Sequence, residues 1–288
     1  MTKRIRCGLF YLILCVAAFI TLIPFLFMLL CSFFSMDQAV AAFSGISSSE
    51  GINSIEHLNL IPSPVSVDQY GYILLQDPEM LYYFWNSVIL ALPSTLGTVI
   101  ISAMSGYGLA KFRFRGRSIL YFLYVLVMLL PPQITLVSSY IFFSGIGLLG
   151  SRMTIILPCI FAPFGAFLMV QFLEGVPDHT LEAGRLDGVG EWGLFWRIVL
   201  PQIRLGLASL AMLSLIECWN MIEQPLVLLH SEELYPLSVA FQYIEDEKIG
   251  IAFASAVFFM IPLLLIFGMV KENLIAGISH MTPTKLKP

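Results

Sequence analysis

Two groups of polar residues interrupt an otherwise apolar sequence at spacings that allow chemistry. The first runs Glu182, Ala183, Gly184, then three residues, Gly188, then nine residues, Ile198, one residue, Leu200 and Pro201. The second is Glu217, Asn220 and Gln224, at i, i+3 and i+7 with Glu223 beside them. Neither group pairs a nucleophile with a base, and no residue is a candidate for catalysis. The chain has no Gly-x4-Gly-Lys-Ser/Thr phosphate loop, no His-Glu-x2-His and no Gly-x-Ser-x-Gly. The chemistry on offer is recognition: a shaped polar surface in the first group, hydrogen bonding to a solute or to a neighbouring helix in the second.

The first group makes sense as two short helices joined by a glycine elbow. Pro177 suits a helix start, Asp178 and Glu182 suit its positive end, and Gly188 can take the left-handed stop after Asp187. Gly190 can cap a second helix in which Trp192, Phe195, Trp196 and Val199 recur at helical spacing. The apolar face of that helix must be covered, and Pro201 is expected to end it. Ala183 and Gly184 keep one surface low, so the elbow can sit in a groove on another protein. An amphipathic linker lying on a membrane surface is the other reading of Trp192 to Val199.

For the second group, an ionisable residue inside an apolar span is costly unless it faces water or a bundle interior. Two readings of Glu217 stand open. It lines a solute path with Asn220 and Gln224, or it pairs internally and holds the bundle together. Trp219 reads as packing or an interfacial anchor ahead of a stacking platform.

Composition fixes the solvent. Hydrophobic residues make up 58% of the chain and charged residues only 12%, with a mean hydropathy of +0.86, which excludes a soluble globular domain. The expected fold is an all-α membrane protein with six spans in a single domain over 1–288: about 9–34, 86–110, 120–143, 154–172, 205–229 and 251–270. Lys3, Arg4 and Arg6 precede the first run, which is too long for a signal-peptide core although Ala39-Val40-Ala41 resembles a cleavage site. An outer loop at 35–83 carries acids and no lysine or arginine, and Lys111, Arg113, Arg115 and Arg117 close a tight inner turn. The 176–204 loop falls inside, between the fourth and fifth spans, while 230–250 is an acidic outer loop. Both termini are inside, and Lys271, Lys285 and Lys287 mark the tail. Of the 15 lysines and arginines, only Arg152 and Lys248 then lie outside, as the positive-inside rule requires. Every span carries proline, which lipid tolerates only where neighbours or a wet cavity satisfy the freed carbonyls. The cysteines (Cys7, Cys15, Cys31, Cys159, Cys218) show no paired spacing, so neither a disulfide framework nor a metal site is expected.

The 182–201 pattern resembles the coupling loop of ABC-transporter permeases, written for that family as Glu-Ala-Ala, three residues, Gly, nine residues, Ile, any residue, Leu-Pro. Gly184 is the one departure. Tyr107-Gly108-Leu109-Ala110-Lys111-Phe112, Gly147-Leu148-Leu149, Gln171-Phe172, Leu186-Asp187-Gly188 and Trp219-Asn220 are similar to the maltose-transporter type, the carbohydrate-uptake branch. The long outer loop and the end of the chain after Gly277 match it less well.

That resemblance implies a prokaryotic cell-membrane permease that imports sugars by alternating access. Glu182, Ala183, Gly184, Asp187, Gly188, Ile198, Leu200 and Pro201 would couple to a cytoplasmic ATPase dimer, with Glu182 paired to an arginine of its groove. It further implies a second permease, expected to be a paralogue, and an extracellular or periplasmic solute-binding protein. No cofactor is expected on this chain, because ATP would bind the separate ATPase, and no nucleic-acid partner is expected. An importer of a non-sugar solute is the nearest alternative. A secondary transporter is a further one, although the paired repeats and broken helices of that class are not seen in the sequence.

Overall fold

A computed structural model describes residues 2–43, 65–76, 78–243 and 248–281. Parts of three expected features lie outside the described residues: 44–64 of the outer loop, 244–247 of the acidic loop, and Lys285 and Lys287 with the rest of the tail. Among the described residues all regular structure is helical. The helices are α1 (Thr2–Cys31), α2 (Met36–Phe43), α3 (Asp68–Gly71), α4 (Pro78–Lys111), α5 (Arg117–Met128), α6 (Pro132–Gly145), α7 (Met153–Ile160), α8 (Pro163–Glu174), α9 (Asp178–Leu186), α10 (Glu191–Gln202), α11 (Arg204–Trp219), α12 (Glu223–Leu228), α13 (Leu237–Ala240) and α14 (Ile249–Met281).

Four helical stretches are long and apolar enough to cross a membrane: Cys7–Cys31, Glu79–Lys111, Met153–Glu174, in which α7 and α8 follow one another, and Ile249–Lys271. Two bent pairs raise the number to as many as six. α5 and α6 meet at 102°, and α10 and α11 at 79°. The first bend lies at Pro131 and Pro132, where the chain has no N–H to continue the ladder. The stretch expected as one span over 205–229 is divided as well: α11 stops at Trp219 and α12 begins at Glu223.

The chain forms two compact units. The first holds Met1–Tyr82 and Ala240–Pro262. α1 leaves its apolar side chains uncovered along the apolar run, as a helix surrounded by lipid does. The unit's core gathers Cys31, Phe34, Ala39 and Phe43 with Phe27 and Phe253, the Phe43 and Phe253 rings being 5.1 Å apart. Buried Gln69 donates its amide to the Phe34 carbonyl, and the Tyr70 hydroxyl donates to Ser32 at 2.7 Å.

The second unit holds Tyr83–Val239 and Leu263–Pro288. In it α5 and α11 both pack against α8. Between spans in lipid there is little hydrophobic gain from contact, so close packing and small residues must bring helices together. A Cβ on Gly106 of α4 would lie 2.6 Å from the Met169 Cβ and 3.2 Å from its backbone carbon. One on Gly206 of α11 would lie 2.5 Å from the Phe172 ring.

Gly106 therefore gives a graded test. Gly106→Val is expected to lower stability by about 1–3 kcal/mol, the usual cost of overpacking, read as a fall of several degrees in the Tm of detergent-purified protein. Gly108→Ala on the same helix meets nothing within 4 Å and is expected to leave Tm unchanged.

Candidate functional site

The loop after α8 folds largely as its sequence dictates. Pro177, extended, caps α9, and Asp178 stands in the first turn. At the other end Gly188 adopts φ +79°, its N–H donates to the Arg185 carbonyl, and Val189 N–H donates to the Gly184 carbonyl, both at 3.0 Å. This is the Schellman closure, which glycine supplies without a Cβ penalty. Asp187 is the capping residue itself, one place beyond the last helical residue.

α9 presents two faces. Leu181 and Gly184 are buried, and a Cβ on Gly184 would come within 2.5 Å of Leu194 and 2.8 Å of Ile198. Gly184 thus faces inward, permitting α9 to lie directly on α10, and takes no part in the low outer surface expected of it. His179, Glu182, Ala183, Leu186, Asp187 and Gly188 are exposed, with Leu186 at 89%.

α10 departs from expectation in two respects. Leu194–Val199 winds as a π segment, which displaces the 3.6-residue register, so Leu194, Phe195 and Val199 are buried while Trp192 and Trp196 stay exposed. Ile198 and Leu200 pack at the edge of that core. Pro201 does not end the helix, which continues to Gln202 before breaking at Ile203. A helix already wound with i→i+5 bonds has fewer i→i−4 bonds for a proline to remove.

Four side chains tie this loop to the end of α4. The Lys111 ammonium donates to the Val176 carbonyl at 2.6 Å and to Asp178 Oδ1 at 2.8 Å, with its side chain only 6% exposed. Glu191 accepts from Arg185 Nε at 2.8 Å through one oxygen and from the Tyr107 hydroxyl at 3.0 Å through the other. The hydrogen bond from Lys111 holds the Asp178 carboxyl below its ordinary range, and that from Arg185 does the same for Glu191.

The Glu217 group is only partly brought together. Asn220 terminates α11, its side-chain amide donating to the Ile216 carbonyl at 2.9 Å. The helical register is broken there, so Gln224 on α12 does not continue the Glu217–Asn220 face; the expectation of one face for all three is corrected. Glu217, Asn220, Glu223 and Gln224 are all exposed, as are Leu213 and Ile216 of α11. Trp219 is 3% exposed and meets Phe84 edge to face at 5.9 Å, a packing role.

Residues 98–280 match the family described as the binding-protein-dependent transport system inner membrane component. The chain belongs to that family. It is a transport subunit and not an enzyme. Similar proteins include the arabinooligosaccharides transport system permease protein AraQ of Bacillus subtilis, 28% identical over 226 residues, covering 77% of this chain and 80% of AraQ. The diacetylchitobiose uptake system permease protein NgcG of Streptomyces coelicolor is 29% identical over 213 residues, covering 72% and 70%. The sn-glycerol-3-phosphate transport system permease protein UgpE of Yersinia pestis is 33% identical over 143 residues, about half of each chain. The fold is that of a chain in a bacterial ABC transporter involved in import of the acidic polysaccharide alginate: TM-score 0.79, 22% identity, covering 95% of this chain and 98% of that one. A second structure of a bacterial alginate transporter, in complex with an alginate pentasaccharide-bound periplasmic protein, matches with TM-score 0.62 at 17% identity, over 94% and 95% of the two chains.

Sequence reasoning missed three site features in this permease. Arg185 and Glu191 carried a signal, opposite charges at either end of a tight elbow. Tyr107 and Lys111 stood in a family-like phrase whose partners are 65 to 84 residues away, which no local pattern reveals. Leu186, the exposed apolar residue on α9, was noted only as part of a phrase.

The carboxylate pairs set a pH sign. Because the folded-state affinities of Asp178 and Glu191 for protons are depressed, their stabilisation is complete above the ordinary carboxylate pKa of about 4. It is lost as pH falls below that value. Tryptic cleavage at exposed Arg185 in membrane vesicles, normalised at each pH to cleavage of an unstructured reference peptide, is expected to be flat from about pH 8 to 6 and to rise several-fold in Glu191→Ala, measured by gel quantification.

Proposed function

We propose that this permease is the transmembrane subunit of an ATP-driven, binding-protein-dependent ABC importer of sugars or oligosaccharides. It spans the cell membrane six times, the bent α5–α6 pair counting once and α11 with α12 making the fifth span, with both termini and the α9–α10 loop in the cytoplasm. The positive charge at the inner turn after α4 supports this orientation. α9 docks in a groove of a cytoplasmic ATPase dimer, a paralogous permease completes the pathway, and an extracellular solute-binding protein delivers the solute. ATP stays on the ATPase, and no cofactor sits on this chain.

The observation that carries the reading is the outward face of α9. Glu182, Ala183 and Leu186 leave an apolar spot beside a carboxylate on a helix whose other face is locked down. A carboxylate against an arginine of the groove makes a charge-assisted bond that resists sliding, and Leu186 supplies the desolvated anchor that interfaces need. Asp187 and Gly188 fix where the helix stops. Ile198 supports it from beneath at Gly184, Leu200 packs at the edge of the same core, and Pro201 follows them at the exposed end of α10.

Exposed Glu217 and Asn220, followed by Gln224 on α12, are the residues this chain offers to a polar solute. A carboxylate on the path disfavours an anionic solute such as a phosphate ester and accepts hydrogen bonds from sugar hydroxyls. The similarity to arabinooligosaccharide and diacetylchitobiose permeases supports the same class. The similarity to UgpE favours a second reading, a glycerol-phosphate-type solute.

Glu182→Ala and Gly188→Val are expected to reach the membrane at normal levels, to lose co-purification of the ATPase, and to reduce uptake at least tenfold. Placing a β-branched residue at φ +79° strains the elbow by about 1–2 kcal/mol. Normal co-purification and uptake in both would end the coupling role. For the path, Glu217→Gln is expected to alter relative uptake across a panel of neutral oligosaccharides and glycerol phosphate; an unaltered profile removes it from the path.

A further inference from the structure

α4 carries hydrogen-bonding partners at both of its ends. At its C-terminal end Tyr107 and Lys111 hold α9 and α10, as described. Near its N-terminal end Asn86, 1% exposed, donates its amide to the Glu233 carbonyl at 2.7 Å and to the Tyr235 carbonyl at 3.1 Å. Its oxygen accepts from Arg152 Nη2 at 2.8 Å. The next residue, Ser87, accepts the Leu237 N–H through its hydroxyl at 2.9 Å. Two adjacent polar residues on α4 thus hold the 233–237 segment, and Asn86 joins it to the turn before α7.

Asn86 and Tyr107 are separated by about 32 Å of helix at 1.5 Å per residue, comparable to the roughly 30 Å thickness of a bilayer's hydrocarbon core. The two sets of contacts therefore lie on opposite sides of the membrane. Between them α4 is seated tightly. A Cβ on Gly97 would meet Ile160 at 2.4 Å, Gly106 admits Met169, and the Thr98 hydroxyl reaches the Cys159 carbonyl at 2.8 Å.

We propose that α4 is the connecting rod of this permease: movement of α9 enters through Glu191–Tyr107 and Lys111 and leaves through Asn86 and Ser87 to reposition the 233–237 segment at the outer surface. Asn86, Tyr107 and Glu191 are positioning residues. The proposal rests on the reading of the chain as an ATP-driven permease whose α9 meets the ATPase. It assigns to α4 a part in the transmission.

The test uses the whole complex, co-expressed with its ATPase, partner permease and binding protein in inside-closed membrane vesicles. A cysteine at exposed position 232 (Glu232→Cys, natural cysteines replaced by serine or alanine) is labelled from outside by a membrane-impermeant maleimide, with and without ATP plus vanadate. The rod predicts that trapping nucleotide changes the labelling rate several-fold in the reference protein. It predicts that Asn86→Asp, which is nearly isosteric, keeps an acceptor for Arg152 and sets a repelling carboxylate oxygen against the two carbonyls, abolishes that change. Tyr107→Phe with Glu191→Gln and Lys111→Met, which removes the described side-chain bonds between the loop and the end of α4, does the same from the far end. Combining both sets costs nothing further, because either cut already interrupts the rod, whereas independent sites this far apart would act additively. ATPase co-purification is measured in every variant. A nucleotide effect that survives either cut, or losses that multiply, overturns the rod while the ATP-driven reading stands. No nucleotide effect in the reference protein, with no ATPase bound, overturns both.

Discussion

The arrangement of the loop depends on one buried cation. α8 ends at Glu174, so the Val176 carbonyl has no helical donor, and an unpaired carbonyl there is costly. Lys111 supplies the donor and, with the same ammonium, holds Asp178 in the first turn of the next helix. A cation at the C-terminal end of α4 and a carboxylate at the N-terminal end of α9 are each favoured by the dipole of their own helix. The direction in which α9 leaves the bundle is thereby fixed by the end of α4. Gly184 then lets α9 settle onto Leu194 and Ile198, and Arg185 bonded to Glu191 closes the far side. A helix held at its start, its buried face and its end cannot swing independently of the span beneath it.

Within the spans the governing constraint is satisfaction of backbone groups without water. Pro163 has no N–H for the Cys159 carbonyl four residues earlier; that carbonyl accepts instead from the Ala162 N–H at 3.2 Å and from the Thr98 hydroxyl of α4 at 2.8 Å, which it shares with the Ser94 carbonyl. The break between α7 and α8 is therefore also a bond to α4. The same economy explains the small residues. Gly97, Gly106 and Gly206 stand where a methyl group would collide with Ile160, Met169 and Phe172, and close approach is what lets helices associate when lipid is as apolar as leucine.

What was legible in the sequence was local. The start of α9 at Pro177 and Asp178, its stop at Gly188 and the cap at Gly190 each follow from residue types within one turn, and the structure places them there. The apolar runs of α1, α4 and α14 were equally plain. Illegible were features that depend on a partner distant in sequence or on a departure from 3.6-residue winding. Pro131 and Pro132 announced a break, but nothing local fixes its angle at 102°. The π segment in α10 moved Trp192 and Trp196 out of the expected buried face. Asn220 stands in a run expected as one span over 205–229, whereas its side chain ends the helix by bonding back one turn. The Tyr107–Glu191 bond joins residues 84 positions apart, and only the assembled bundle brings them into reach.

Gly184, the single departure from the family pattern, falls on the side of α9 that no partner can touch. Its neighbours there are Leu194 and Ile198 of the same chain, and the cost of adding even one carbon is set by how far those two side chains can move. The face left for a partner is made by Glu182, Ala183 and Leu186, and the turn by Asp187 and Gly188, all of which keep the expected residue types. The departure therefore bears on how closely the two helices of the elbow pack, and so on how stiffly α9 is mounted. It leaves the chemistry of the exposed surface unaltered.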